Sequence, residues 1–123
     1  MARTINHVNL LGRVGADPEL RSTKSGTAVV QLRLATDRYS KSNGGQTETD
    51  WHNVVVWGKT AEAVARYVRT GDRVHVTGRL QQHSWQTESG ERRSKVEVHA
   101  GEVLFLDSRS DRSDQDEGGD APF

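Results

Sequence analysis

An alternation of apolar and polar residues with a period of two runs through most of the chain. Because successive side chains of a β-strand point to opposite faces, this period predicts strands with one face in a core. The alternating stretches 28–34, 73–80 and 95–99, with the segments 5–14 and 49–59, make five predicted strands. On the fourth strand the positions predicted to face the core are Val74, Val76 and Leu80. Two long hairpins are predicted, with turns at Gly44 and Gly45 and at Ser89 and Gly90.

One stretch has helical spacing instead. Four apolar residues lie at positions i, i+3, i+4 and i+7, namely Ala61, Val64, Ala65 and Val68. Thr60 is placed to cap the start of this predicted helix, and Gly71 is placed to end it. Five strands with one helix between the third and the fourth is the order of the oligonucleotide-binding (OB) fold, a small Greek-key barrel. A five-stranded sheet covered by one helix would show the same order, so the order alone leaves closure of the barrel open.

The third predicted strand carries a tryptophan near each end. Trp51 and Trp57 are six residues apart, so both indoles lie on one face of the strand, with Asn53 and Val55 between them. The opposite face already supplies a core surface, through His52, Val54 and Val56. The two tryptophans therefore form either a second buried layer or an exposed aromatic platform.

The position of Trp85 favours the platform. If no bulge interrupts the fourth strand, Trp85 continues a polar row on the face opposite the core, formed by Arg73, His75, Thr77, Arg79, Gln81 and His83. A core tryptophan does not usually continue such a row. Aromatic rings set among cations suit single-stranded nucleic acid, because unpaired bases stack on the rings while cations meet the phosphates. The single alanine-rich helix offers few side chains that could read a duplex.

Composition limits the class of protein. The chain has 123 residues and no cysteine, which fits one domain and excludes disulfides, a thiolate nucleophile and a cysteine-based zinc site. No apolar run is long enough to span a membrane, so we expect a soluble intracellular protein. The zero net charge hides a division, since residues 1–106 carry 15 basic and 11 acidic side chains and the remainder carries two and six. A basic body with an acidic tail is common among proteins that bind polyanions, although charged termini can also serve solubility alone.

The candidate catalytic residues do not form a constellation. The five histidines are scattered over predicted strands without the spacing of a metal site, at His7, His52, His75, His83 and His99. Gly12 and Gly15 precede no helix, which argues against a phosphate-binding loop. We predict no catalysis, no metal and no cofactor.

Six motifs stand out along the chain, namely 9–15 (NLLGRVG), 17–21 (DPELR), 34–36 (LAT), 51–59 (WHNVVVWGK), 76–80 (VTGRL) and the ending 120–123 (DAPF). Together they resemble the homotetrameric family of bacterial single-stranded DNA-binding proteins. The resemblance covers roughly residues 3–106 and the extreme C-terminus. It implies an all-β OB barrel with one helix, a homotetramer and a disordered acidic tail.

The resemblance also implies roles for individual residues. The expected base-stacking aromatics are Trp51, Trp57 and Trp85, with Tyr39 near a further stacking position. The expected basic residues along the DNA path are Arg3, Arg21, Lys59 and Arg93, to which the outer face of the fourth predicted strand adds Arg79. His52 matches a histidine associated with the subunit interface. Where relatives often place Arg and Lys before the third tryptophan, this chain has 81–84 (QQHS), so we expect fewer phosphate contacts and lower salt sensitivity there.

The predicted organisation has three parts. Residues 1–106 form the DNA-binding domain, residues 107–115 a short polar linker and residues 116–123 an acidic partner-binding tip. In the tip an apolar anchor and a stiffened approach stand beside carboxylates that could meet a basic pocket, through Asp116, Glu117, Asp120, Pro122 and Phe123. So polar a segment is also expected to be disordered when free, which is compatible with docking.

The function expected from these features is to bind and protect single-stranded DNA during replication, recombination and repair, and to recruit partner proteins through the tip. We expect a cytoplasmic, nucleoid-associated protein that makes no membrane contact. Two alternatives stay open at this point. One is a primosomal-type or accessory OB adaptor for which DNA contact is secondary, and the other is an RNA-binding barrel.

Overall fold

The alternating apolar positions form long strands that curl into a barrel. The computed structural model describes residues 3–106. In chain order the elements are β1 (Val8–Val14), β2 (Leu20–Ser22), β3 (Ala28–Ser40), a single 3-10 turn (Lys41–Asn43), β4 (Gln46–Trp57), α1 (Gly58–Tyr67), β5 (Arg73–Gln86) and β6 (Arg92–Phe105). The predicted linker and tip, 107–115 and 116–123, lie outside the described residues, and so does the predicted tail disorder. Within the described range no helix is both long enough and apolar enough to cross a membrane.

Pairing between β1 and β3 closes the barrel. The sheet runs β1-β5-β6-β4-β3, and β1 also pairs with β3 through Arg13 opposite Ala35 and Val14 opposite Leu34. Neighbouring pairs are antiparallel except β4 and β6, which run parallel. The predicted OB barrel, with a helix between its third and fourth long strands, is therefore confirmed. The three-residue β2, which the sequence pattern did not predict, pairs with β3 beside the barrel.

Valine and leucine side chains from every long strand fill the barrel. The strand residues in this core are at most 4% exposed and are Val14, Val30, Leu32, Leu34, Val54, Val56, Val74, Val76 and Val98. Helix α1 adds Ala61 and Val64, both fully buried, and Val68 follows directly after the helix at 1% exposure. The predicted helical stripe thus packs against the same core as the strands.

Both predicted ends of the helix are wrong. Helix α1 begins at Gly58, so Thr60 lies inside the first turn, and the residue at the cap position is Trp57, whose side chain makes no capping hydrogen bond. Gly58 has φ of +67°, a conformation open to glycine, and this lets the chain turn from β4 directly into the helix. At the other end Val68 is already extended, and Gly71 (φ of +91°) belongs to the turn that follows.

The predicted core position of Leu80 is also wrong. Leu80 is 46% exposed, although it has the same parity as the buried Val74 and Val76. Its partner Val98 is buried, but the next apolar residue on that face, Val96, is 53% exposed. From Leu80 onward, the β5–β6 hairpin extends past the end of the barrel, where parity no longer implies burial.

These two environments give different expected costs for truncating leucine. We expect Leu32→Ala to lower the free energy of unfolding by about 2–5 kcal/mol, because the 1% exposed side chain leaves a cavity in a closed core. Leu80→Ala is the matched control and should cost under about 1 kcal/mol. Urea denaturation at one fixed protein concentration measures both variants. Equal losses would contradict the placement of Leu80 outside the core.

Candidate nucleic-acid interface

The pairing of β3 and β4 exposes both tryptophans of the third predicted strand. Trp51 lies opposite Ala35 and Trp57 opposite Val29, and their exposed fractions are 50% and 42%. Val55, between them on the same face, is only 5% exposed because it has paired neighbours on both sides, in β3 and β6. The two indoles are therefore an exposed platform, and the alternative of a second buried layer is excluded.

The third tryptophan lies on a continuation of the same face. In the parallel pair Val55 is opposite His99, and in the β5–β6 pair His99 is opposite Arg79 and Arg93 is opposite Trp85. Directly paired residues share a face, so this surface continues from β4 across β6 to β5. Trp85 is 42% exposed on it.

A β-bulge does occur, but it lies in β6. Thr77 is opposite Glu102 and Gly78 is opposite Ala100, which leaves Gly101 as the extra residue. The parity of β5 is therefore unbroken from Arg73 to Trp85, and the predicted polar row is confirmed.

Tyr39 extends this surface at the far end of the β3–β4 hairpin. It lies opposite Thr47, with the parity of Ala35, and it is 68% exposed. We call the surface formed by Tyr39, Trp51, Trp57 and Trp85 the aromatic face.

Two residues that were not predicted hold Trp51 in place. The guanidinium carbon of Arg33 lies 4.7 Å from the centroid of the indole. A Cβ on Gly15 would collide with the six-membered ring of the indole, and the N–H of Gly15 donates a 2.8 Å hydrogen bond to the carbonyl of Arg33. The alternation within β3 indicates that Arg33 faces outward. It does not indicate which side chain of a neighbouring strand Arg33 contacts.

Three of the predicted cations lie along the aromatic face. Arg79 is on β5, and Arg93 is opposite Trp85. Arg21 is opposite Val29, which is itself opposite Trp57, so these three residues form a row across β2, β3 and β4. Arg21 and Arg93 each make a 2.9 Å ion pair, with Glu19 and Glu91 respectively. Exposed pairs of this kind contribute little stability, so a phosphate can replace the carboxylate.

The other predicted site residues lie beside the aromatic face or away from it. Lys59 is exposed in the first turn of α1, two residues after Trp57. Arg3 lies in the segment before β1, and strand pairing does not bring it to the aromatic face. His52 is half-buried, opposite Leu34, with a 2.9 Å hydrogen bond between its Nε2 and Oγ1 of Thr36. Its role at a subunit interface stays a prediction.

A further cation of the β3–β4 hairpin is held on the opposite face. Arg38 contacts Asp50 at 2.9 Å and Glu48 at 3.3 Å, and the hydrogen bond to Asp50 is the main reason that the pKa of Arg38 is raised. Because Arg38 lies one residue from Asp37 and Tyr39, its side chain points away from the aromatic face.

A charged cluster lies on β6 between the tryptophans. Glu97 is within 3.2 Å of Lys95 and 3.3 Å of Nε2 of His99. Burial alone would raise the pKa of Glu97, whose side chain is 13% exposed, but hydrogen bonds from Lys95 and His99 outweigh burial and lower it. Among residues 3–106 no three side chains of metal-binding type come together to hold an ion.

Comparison with known proteins agrees with this geometry. Residues 5–106 match the single-strand binding protein family. The chain belongs to this family. It is 38% identical over 112 residues to single-stranded DNA-binding protein 1 of Chlorobaculum tepidum, covering 89% of this chain and 69% of that protein. It is 42% identical over 109 residues to the single-stranded DNA-binding protein of Halalkalibacterium halodurans, covering 89% of this chain and 65% of that protein.

A solved structure shares the fold. The match is an SSB of Plasmodium falciparum in complex with ssDNA, with a TM-score of 0.79 and 30% identity, covering 87% of this chain and 99% of that one. The relatives are named for binding and not for a reaction, which confirms the prediction that this chain is not an enzyme.

The lowered pKa of Glu97 has a consequence for stability in acid. A carboxyl with a lower pKa in the folded state stabilises the fold above its ordinary pKa, and this contribution is lost as the pH falls below about 4. We expect Glu97→Gln to lower the free energy of unfolding near neutral pH by about 0.5–1 kcal/mol, and the difference from the parent protein to vanish in acid. Urea midpoints from about pH 7 to about pH 3 measure this. Glu102→Gln, an exposed change on the same strand, is the control, and a deficit of constant size at every pH would contradict the assignment.

Proposed function

We propose that this protein binds single-stranded DNA without sequence specificity. The observation that carries the proposal is the aromatic face, whose four exposed rings lie on β3, β4 and β5. Strand β6 pairs with both β4 and β5 and so joins them into one surface. Every base has a flat π surface, so stacking on such rings tolerates any sequence. The names of the relatives and the ssDNA complex of the Plasmodium falciparum SSB support the same conclusion.

The cellular role we propose is to coat DNA that has been unwound during replication, recombination and repair. The protein would hold the strand unpaired and act in the cytoplasm at the nucleoid. The acidic tip would recruit replication and repair proteins through its terminal phenylalanine and carboxylates. The resemblance of residues 120–123 to the family ending supports this part.

The assembly we propose is a homotetramer, and an exposed apolar patch supports it. Leu11 is opposite His75, and His75 is opposite Leu104, so the three lie side by side on the outer face of β1, β5 and β6. Leu11 is 55% exposed and Leu104 is 48% exposed. Exposed leucines on either side of His75 on the outer face of the barrel suit burial against another copy of the chain.

Stacking on the tryptophans predicts the effect of removing each ring. Single changes of Trp51, Trp57 or Trp85 to alanine should weaken binding of oligo-dT by roughly 5- to 150-fold, equivalent to about 1–3 kcal/mol per stacked base. Quenching of tryptophan fluorescence and fluorescence anisotropy of labelled oligo-dT measure the affinity. Tyr67→Ala is the matched control, because Tyr67 is 37% exposed but packs against Phe105, with ring centroids 6.3 Å apart, away from the aromatic face.

The same titrations separate the competing functions. The parent protein should bind oligo-dT much more tightly than a duplex of equal length, and at least as tightly as the equivalent RNA. Equal binding of duplex, or no loss in any tryptophan variant, would contradict the proposal.

The proposed tetramer depends on the leucine patch. We expect Leu11→Glu or Leu104→Glu to reduce the mass of the assembly, because the change would place a charged carboxylate within the proposed apolar interface, where burial of a charge is costly. Light scattering measures the mass at several protein concentrations. Leu20→Glu on β2 is the control, since Leu20 is 48% exposed on a different part of the barrel. A parent protein that stays monomeric at every concentration would refute the tetramer.

A further inference from the structure

An open concavity lies beside Trp57 where β5 meets β6. Its volume is about 320 Å³, which is at the lower end for small-molecule pockets. It is lined by Trp57, Gly78, Arg79, His99, Ala100 and Gly101. It combines two residues that were predicted to contact DNA, Trp57 and Arg79, with His99, which was not.

The β-bulge forms the floor of this concavity. Gly101 is the extra residue of β6, and a bulged residue leaves the regular ladder of hydrogen bonds. A Cβ on Gly78 would collide with the carbonyl oxygen of His99, so the two strands approach here more closely than any other residue allows. Gly101 has no side chain to cover this surface, and a Cβ there would meet only the carbonyl oxygen of Thr77 at 3.7 Å, so the backbone is accessible to a flat ligand.

Two rings border the concavity. The centroids of Trp57 and His99 are 6.4 Å apart and their planes differ by 29°. The imidazole is held in place, since its side chain is 16% exposed and its Nε2 lies 3.3 Å from Oε1 of Glu97. A ring fixed in this way loses little conformational entropy when a ligand stacks on it.

Arg79 completes the border with a group that only donates hydrogen bonds. It lies directly opposite His99 and is exposed, and within residues 3–106 its guanidinium has no hydrogen-bond or ion-pair partner. A purine N7 or a carbonyl oxygen at the edge of a base would accept from it.

We propose that this concavity is a pocket for one base of the bound strand, which stacks on Trp57 and His99 while Arg79 donates to its edge. The inference rests on the proposed function and adds His99 to the residues that contact DNA. A base fits better than a phosphate because the rings and glycines form most of the lining.

The test compares two ligands that differ only in their bases. One is oligo-dT, and the other is an abasic oligonucleotide of the same length, which keeps the phosphates. His99→Gln removes the ring and His99→Phe keeps it, and Tyr67→Ala is the control away from the aromatic face. Affinities are measured by fluorescence anisotropy at one fixed pH and ionic strength.

We expect His99→Gln to bind oligo-dT about fivefold more weakly, the lower end for one stacked base, and to bind the abasic strand as the parent protein does. His99→Phe should keep the parent affinity for both ligands. Arg79→Gln, a change at an exposed position, should lose more affinity for oligo-dT than for the abasic strand, on which only the loss of its charge acts. It tests the pocket independently if His99→Gln proves to be unstable.

The outcomes separate the pocket from the proposed function. If the parent protein does not bind oligo-dT, the proposed function itself fails. If the parent binds and both His99→Gln and Arg79→Gln match it, the pocket is refuted and the proposed function stands. Equal losses on the abasic strand would mean that these residues meet phosphates, which also refutes a base pocket.

Discussion

The pairing of β4 on both of its edges is the constraint on which the rest of the structure depends. Twelve consecutive positions of β4 pair with β3, and Val54 and Val55 also pair with β6. Because side chains alternate, this pairing sends Val54 and Val56 into the core and leaves Trp51 and Trp57 outside. A shift of one residue in this register would exchange the two sets, burying indoles and exposing valines. The fold and the aromatic face are therefore specified by the same hydrogen bonds.

The electrostatics of the aromatic face differ from those of a simple basic groove. Three cations on or near this face each form an ion pair with a glutamate two positions away in the sequence. The pairs are Arg21 with Glu19, Arg93 with Glu91, and Lys95 with Glu97. A phosphate that binds one of these cations must displace or tolerate the carboxylate, so the net electrostatic gain is smaller than the number of cations suggests. Within the described residues, the guanidinium of Arg79 has no such acidic partner. This arrangement gives stacking a larger share of the binding energy.

Features that depend on the alternation of side chains along a strand could be predicted from the sequence. Features that depend on packing between elements could not. The OB order, the outward face of all three tryptophans and both hairpin turns follow from period and turn residues. Leu80 was misplaced because alternation gives a face and not a depth, and this part of β5 lies beyond the barrel. The start of α1 was misplaced because Gly58 replaces the usual polar cap with a left-handed turn. The contact of Arg33 with Trp51 joins diagonal positions on two neighbouring strands. The pattern of residues along one strand cannot predict such a contact.

The bulge in β6 is visible in the sequence as a change in the phase of the apolar positions. A prediction that assumes unbroken alternation along β6 would not include this change. The core positions of this strand are even-numbered up to Val98 and Ala100 and become odd-numbered at Val103 and Phe105. Such a change of phase requires one extra residue, and Gly101 supplies it. Without it, either Val98 or Val103 would leave the core, and the backbone beside Trp57 would have no concavity. The residue that keeps both halves of β6 in the barrel is thus the one that shapes the surface next to the stacking ring, so fold and binding site constrain the same position.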